Sequence, residues 1–127
     1  RSKEGRSRKG YASFQAEKSQ KRISLPDQEK LIFVDIHDII YCEASGSYTV
    51  FHLSGKPDHV ISKSLNTYEE MLKDDGFFRV HDKYLGNLSH VTTYVKGRGG
   101  EVGLSDGSQL SVSVRRRDSF LKKIQRL

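Results

Sequence analysis

Apolar residues recur along this chain in short clusters separated by turn-forming residues, a spacing that predicts strands rather than helices for most of its length. Leu25-Pro26-Asp27 reads as strand followed by turn, with ordered structure beginning near Arg22. Leu31-Ile32-Phe33-Val34 is an unbroken apolar run, too short for a helix and rich in strand formers. Ile36–Asp38 reads as a tight turn into a strand over Ile39–Ala44, and Ser45-Gly46-Ser47 as a turn into Tyr48–Leu53. Ser54-Gly55-Lys56-Pro57-Asp58 closes a hairpin into His59–Ser62.

The period then changes. Leu65, Tyr68 and Leu72 share a helical face, which predicts a helix from about Leu65 to Lys73, capped by Ser64 or Asn66 and ended by Gly76. Phe77–Val80 is expected as a strand, and His81–Leu88 as an irregular stretch with a polar cluster. Val91–Lys96 and Glu101–Leu104 read as strands joined by the glycine turn Gly97–Gly100, and Asp106-Gly107 as a tight hairpin into Gln109–Val112. Ser113 is placed to cap a terminal helix over Val114–Arg126. Many short strands with regular turn signals imply a β-sandwich or stacked sheets. On the terminal helix Phe120, Leu121, Ile124 and Leu127 fall on one face, with Arg115, Ser119, Lys122 and Arg126 opposite. Arg116 and Lys123 flank the polar face, and Arg117 lies at the apolar margin, where its stem can cover apolar surface. An ordinary amphipathic helix would show the same pattern.

Charge changes this picture less by its total, +6, than by its distribution. Residues 1–22 carry a net +6, residues 23–114 a net −5, and residues 115–127 a net +5. Basic ends suit a polyanion, because neutralising phosphates releases condensed counterions. They equally suit a solubilising tail and a solvated helix face. Residues 1–21, rich in Ser, Lys, Arg and Gly, read as a basic flexible linker with a short helical piece around Tyr11–Lys18. Residues 22–127 read as the folded domain. The chain begins at Arg1 and not at Met, as expected of a fragment of something longer. Without a long apolar run or a secretory leader, no membrane span is expected, and a cytoplasmic home is.

The chemistry of an enzyme is hard to find. The sequence has no G-x-S-x-G elbow, Walker loop or H-E-x-x-H. Gly97-Arg98-Gly99-Gly100 lacks the following helix that a phosphate cradle needs. Glu69-Glu70 and Asp74-Asp75 read as solvent face. Cys42 is the single cysteine, and His37, His52, His59 and His90 show no metal-ligand spacing, so neither metal nor cofactor is expected. His81 reads as a hydrogen-bonded structural residue, and Asn87 as a turn or cap residue.

The order of features resembles the LytTR DNA-binding domain of bacterial response regulators, from about Arg22 to Leu127. The matching segments are Asp38-Ile39-Ile40-Tyr41-Cys42-Glu43, Tyr48-Thr49-Val50 and Leu65–Leu72. They continue with Phe77-Phe78-Arg79-Val80-His81, Tyr84-Leu85-Gly86-Asn87-Leu88 and Leu110–Arg116. The F-x-R-x-H segment, then Asn87, then Ser113-Val114-Arg115-Arg116, is specific as a set. The resemblance implies a mainly β fold of stacked antiparallel sheets, with a short central helix and a C-terminal helix. It also implies fusion behind a phosphorylatable receiver domain, and binding of two copies to a direct repeat in duplex DNA. Loops rather than a recognition helix enter successive major grooves. By motif, the base-reading positions are Tyr48, Asp82 and Arg115. Arg115 matches the family's base-reading arginine, able to pair bidentately with guanine O6 and N7. Asp82 stands where the family commonly carries Asn, Arg or Lys, and at a base edge it can only accept, as from cytosine N4. Ser47, Lys63, Arg79, Lys83 and Arg116 are the backbone-contact candidates. The alternative function is a β-rich protein-interaction or ligand-sensing module with a solubilising basic tail, which the acidic body favours.

Overall fold

The computed structural model describes residues 21–125 apart from Arg98. All of the expected linker but Lys21, including the helical piece at Tyr11–Lys18, lies outside the described residues, as do Arg126 and Leu127. Lys21 is held to the fold, its O accepting from Ile36 N–H at 3.0 Å. Strands β1 (Arg22–Asp27) and β2 (Lys30–Asp35) form a two-stranded hairpin. A five-stranded sheet follows, built from β3 (Ile39–Ser45), β4 (Tyr48–Leu53), β5 (His59–Ile61), β6 (Phe77–His81) and β7 (Tyr84–Asn87). Its strand order is β5-β4-β3-β7-β6, antiparallel throughout. Strands β8 (Val91–Val95), β9 (Glu101–Leu104) and β10 (Gln109–Ser111) make a third sheet with β9 in the middle. Helix α1 (Leu65–Leu72) joins β5 to β6, and α2 (Val114–Ile124) follows β10.

The five-stranded sheet is covered on both faces, so its strands feed two separate cores. One core gathers Cys42, Phe51 and Leu85 with Leu25 and Val34 of the hairpin and Leu65, Tyr68 and Leu72 of α1. The other gathers Ile40 and Val80 with Val102, Leu104 and Leu110 of the third sheet and Phe120 of α2. A flat strand sends neighbouring side chains to opposite faces. A register shift between Ile39 and Tyr41 breaks that alternation. Ile39 and Cys42 consequently share one core, while Ile40 and Tyr41 turn to the other. The fold is thus the stacked antiparallel arrangement expected, with a short central helix and a C-terminal helix.

Two expectations need correcting. The stretch expected to be irregular, His81–Leu88, contains β7, which pairs with β3 on one side and β6 on the other. Its hydrogen bonds come from two neighbouring strands, and a four-residue segment holding Gly86 carries little intrinsic strand signal. A Cβ at Gly86 would reach ordinary contact distance, 3.8 Å, from Leu110 Cδ1 in the adjoining sheet. The second correction concerns caps. Ser64 and Ser113 occupy the N-cap positions, but neither side chain bonds the helix backbone. Ser64 Oγ instead faces Thr67 Oγ1 at 3.3 Å, and Asn66 lies inside α1, accepting from Arg79. Ser113 contributes its backbone, its N–H donating to Val80 O at 2.8 Å.

Candidate nucleic-acid interface

Antiparallel pairing brings the chemically interesting turns to one edge of the central sheet. β3 and β4 meet at Gly46-Ser47, where Ser45 stands opposite Tyr48. Gly46 takes φ 61°, a left-handed value that glycine adopts without a Cβ clash. β6 and β7 meet at Asp82-Lys83, where His81 stands opposite Tyr84. Because β3 and β7 are neighbours, the two turns lie side by side, linked by Ala44 N–H donating to Lys83 O at 2.8 Å. β5 ends at the same edge, with Ile61 opposite Thr49. The buried Thr49 hydroxyl donates to Lys63 O at 2.7 Å and so fixes the chain beyond β5.

The first turn of α2 arrives at this edge through the Ser113–Val80 bond. Arg116 Nη1 donates to Arg79 O at 3.3 Å, which ties the helix to β6. Arg115 Nη2 and Arg116 Nη2 both donate to the same oxygen, Asp82 Oδ1, each at 3.1 Å. Arg115 and Asp82 are 71% exposed and Arg116 22%. The hydrogen bond from Arg115 holds the Asp82 carboxyl below the usual carboxylate range, reinforced by the charges of Arg115, Arg116 and Arg79.

Arg79 is placed differently from the other cations. Its side chain is only 10% exposed. Nη1 donates to Glu69 Oε1 at 2.6 Å and Asn66 Oδ1 at 2.9 Å, both on α1. Nε donates to His81 O at 2.9 Å and Nη2 to Asp82 O at 2.6 Å. A guanidinium so occupied is a strut between α1 and the β6–β7 turn, with few donors left over. His81 serves the same turn, its Nδ1 accepting from Lys83 N–H at 3.1 Å.

The sequence-derived candidates therefore fall into two groups. Asp82, Arg115, Arg116 and Arg79 form one hydrogen-bonded cluster. Ser47, Tyr48, Lys63 and Lys83 share the edge through backbone pairing, all of them exposed and Tyr48 to 48%. Beside the cluster lies a cleft of about 400 Å³ between α1, β6 and α2, whose walls include Lys73, Phe78, Ser119 and Lys123. Sequence reasoning missed Asn66 and Glu69 as the anchors of Arg79. A carboxylate on one helix facing an arginine on a later strand leaves no local pattern to find. Among the described residues no group of three or more His, Cys, Asp or Glu is placed to hold a metal ion. No helix among them is long and apolar enough to cross a membrane.

The family model of the LytTr DNA-binding domain matches residues 29–125. The chain belongs to the LytTR family. The sensory transduction protein LytT of Bacillus cereus is 29% identical over 109 residues, as is LytT of Bacillus anthracis. Each alignment covers 84% of this chain and 43% of the relative, so the chain spans less than half of the curated relatives it matches. A solved LytTr DNA-binding domain from Bacillus cereus superposes with a TM-score of 0.70 at 20% identity. That match covers 84% of this chain and 98% of the solved one, and at that identity it shows a shared fold. The matching family model is that of a DNA-binding domain.

Proposed function

We propose that this chain is the output part of a bacterial transcriptional response regulator, binding duplex DNA sequence-specifically through the turn-bearing edge of its central sheet. The observation that carries this reading is the gathering of Lys63, Lys83, Arg115 and Arg116 at one edge of a body that is otherwise net acidic. Cations there can neutralise phosphates and set the register, while exposed side chains reach base edges. Arg115 is the reader of guanine, Tyr48 approaches a neighbouring base, and Asp82 stands beside Arg115. Ser47, Lys63, Lys83 and Arg116 make the backbone contacts, and Arg79 acts by holding the β6–β7 turn in place. Two turns projecting from a sheet edge suit major grooves, and a direct repeat would seat two copies of the chain. A phosphorylatable receiver domain on the N-terminal side and a cytoplasmic location complete the reading. It includes no catalytic step, metal or cofactor.

A second reading, a protein-interaction module, draws on a different surface. Leu31 and Phe33 are 58% and 59% exposed on β2, with the Arg22 guanidinium 5.5 Å from the Phe33 ring centre. The two readings separate on Arg115→Ala. Under DNA reading this variant loses about 1–3 kcal/mol of affinity for a preferred duplex and relaxes preference at one base position. A site-selection experiment with unchanged affinity and unchanged preference would discard the proposed reader.

A further inference from the structure

We propose that Asp82 determines specificity by acting as an intramolecular counter-ion that suppresses sequence-independent DNA binding; this rests on the DNA-reading proposal above. One carboxylate oxygen accepts from both Arg115 and Arg116 at 3.1 Å. The turn carrying it is anchored, because Asp82 O accepts from Arg79 Nη2 and Arg79 is itself held by Glu69 and Asn66. The carboxylate therefore stands at a set place beside the two arginines of the edge and cancels one of their two charges.

The effect on DNA is unequal between its two kinds of acceptor. A phosphodiester approaching Arg115 or Arg116 meets the Asp82 negative charge, and must either displace it or tolerate it at short range. A guanine edge is neutral and offers O6 and N7 as acceptors. Arg115 has five donors and spends one on Asp82, so it can address guanine while the carboxylate remains in place. The carboxylate thus penalises backbone-only complexes more than base-reading ones. Exposed ion pairs of this kind are weak enough to exchange when a better partner arrives. This differs from a direct base reader, whose loss would lower affinity for the preferred site and leave the rest unchanged.

The test uses the full 127-residue chain, wild type and Asp82→Asn, in equilibrium titrations across a salt series. The probes are a duplex selected by the wild type from a random pool and a scrambled duplex of equal length. For Asp82→Asn, affinity for the scrambled duplex should rise roughly three- to tenfold at low salt, and the log–log salt slope should steepen by about 0.9, one extra phosphate neutralised. Affinity for the selected duplex should change less, so the ratio of the two falls. In an Arg115→Ala, Arg116→Ala background the same substitution should raise scrambled-duplex affinity far less than in the wild type, which separates the pair from a general gain of positive charge. An unchanged scrambled-duplex affinity, or a loss confined to the selected duplex, overturns the proposal while leaving DNA reading intact. If the wild type enriches no sequence, the DNA-reading proposal fails and this one falls with it.

Discussion

Asn87 is 2% exposed, yet its amide is fully engaged with the chain around it. Nδ2 donates to Ile39 O at 2.8 Å, and Oδ1 accepts from Ser89 N–H at 3.1 Å and from the Ser89 hydroxyl at 2.8 Å. The local half of this, an Asn capping a short turn with a Ser two residues on, was legible in the sequence. The bond to Ile39 was not, because it joins segments 48 residues apart. Asn87→Ala should cost about 1–3 kcal/mol in urea unfolding, since buried backbone partners lose their bonds. A change below the error of the measurement would show that water replaces the amide. Cys42 is a second case in which burial decides the chemistry: removal from water pushes its thiol pKa up, so the reactive thiolate is suppressed. It should resist alkylation in the native protein at mildly alkaline pH and react once the protein is unfolded. Rapid native labelling, followed by mass spectrometry, would contradict that. Asp82 and Arg115 were legible as positions, through the family resemblance, but not as partners. Their pairing depends on a turn and a helix start that only the folded sheet brings together.

Helix α2 shows how much an element's own pattern can say. Its helical period separates Phe120, Leu121 and Ile124 from Arg115 and Lys122, and in the fold Phe120 is fully buried while Arg115 is exposed. Phe120 packs at 5.8 Å between ring centres against both Phe78 of β6 and Tyr94 of β8. That contact holds α2 on two sheets at once and thereby sets where Arg115 and Arg116 emerge. Phe120→Ala should cost about 3–5 kcal/mol of stability. It should also weaken duplex binding at temperatures where the domain remains folded, a loss that calorimetry and binding titration together can separate. Full affinity in a folded Phe120→Ala chain would detach the site from the packing of α2. Strand β7 marks the opposite limit. Its place in the sheet comes from β3 and β6, not from its own residues, so its pattern announced only a polar interruption.

At the scale of the whole molecule, two cores on opposite faces of one sheet leave the sheet's edge free to carry turns. Stacked sheets followed from strand spacing and the family resemblance, whereas the assignment of Ile39 and Ile40 to different cores from their alternation partners depends on the register shift at Ile39–Tyr41, which no periodicity announces. Overall charge was a poor guide in the sequence, because residues 1–22 alone account for +6. The fold gives part of the remaining charge a location, bringing Lys63, Lys83, Arg115 and Arg116 to the turn-bearing edge, where Asp82 faces the two arginines. The central claim is that this edge, and not the basic N-terminal segment, reads DNA. Selection of bound duplexes from a random pool, run in parallel with the 127-residue chain and with a chain starting at Lys21, tests it most directly. The account predicts the same preferred sequence from both, with the shorter chain binding more weakly and with a shallower salt dependence. Loss of all sequence enrichment on removing residues 1–20 would contradict it.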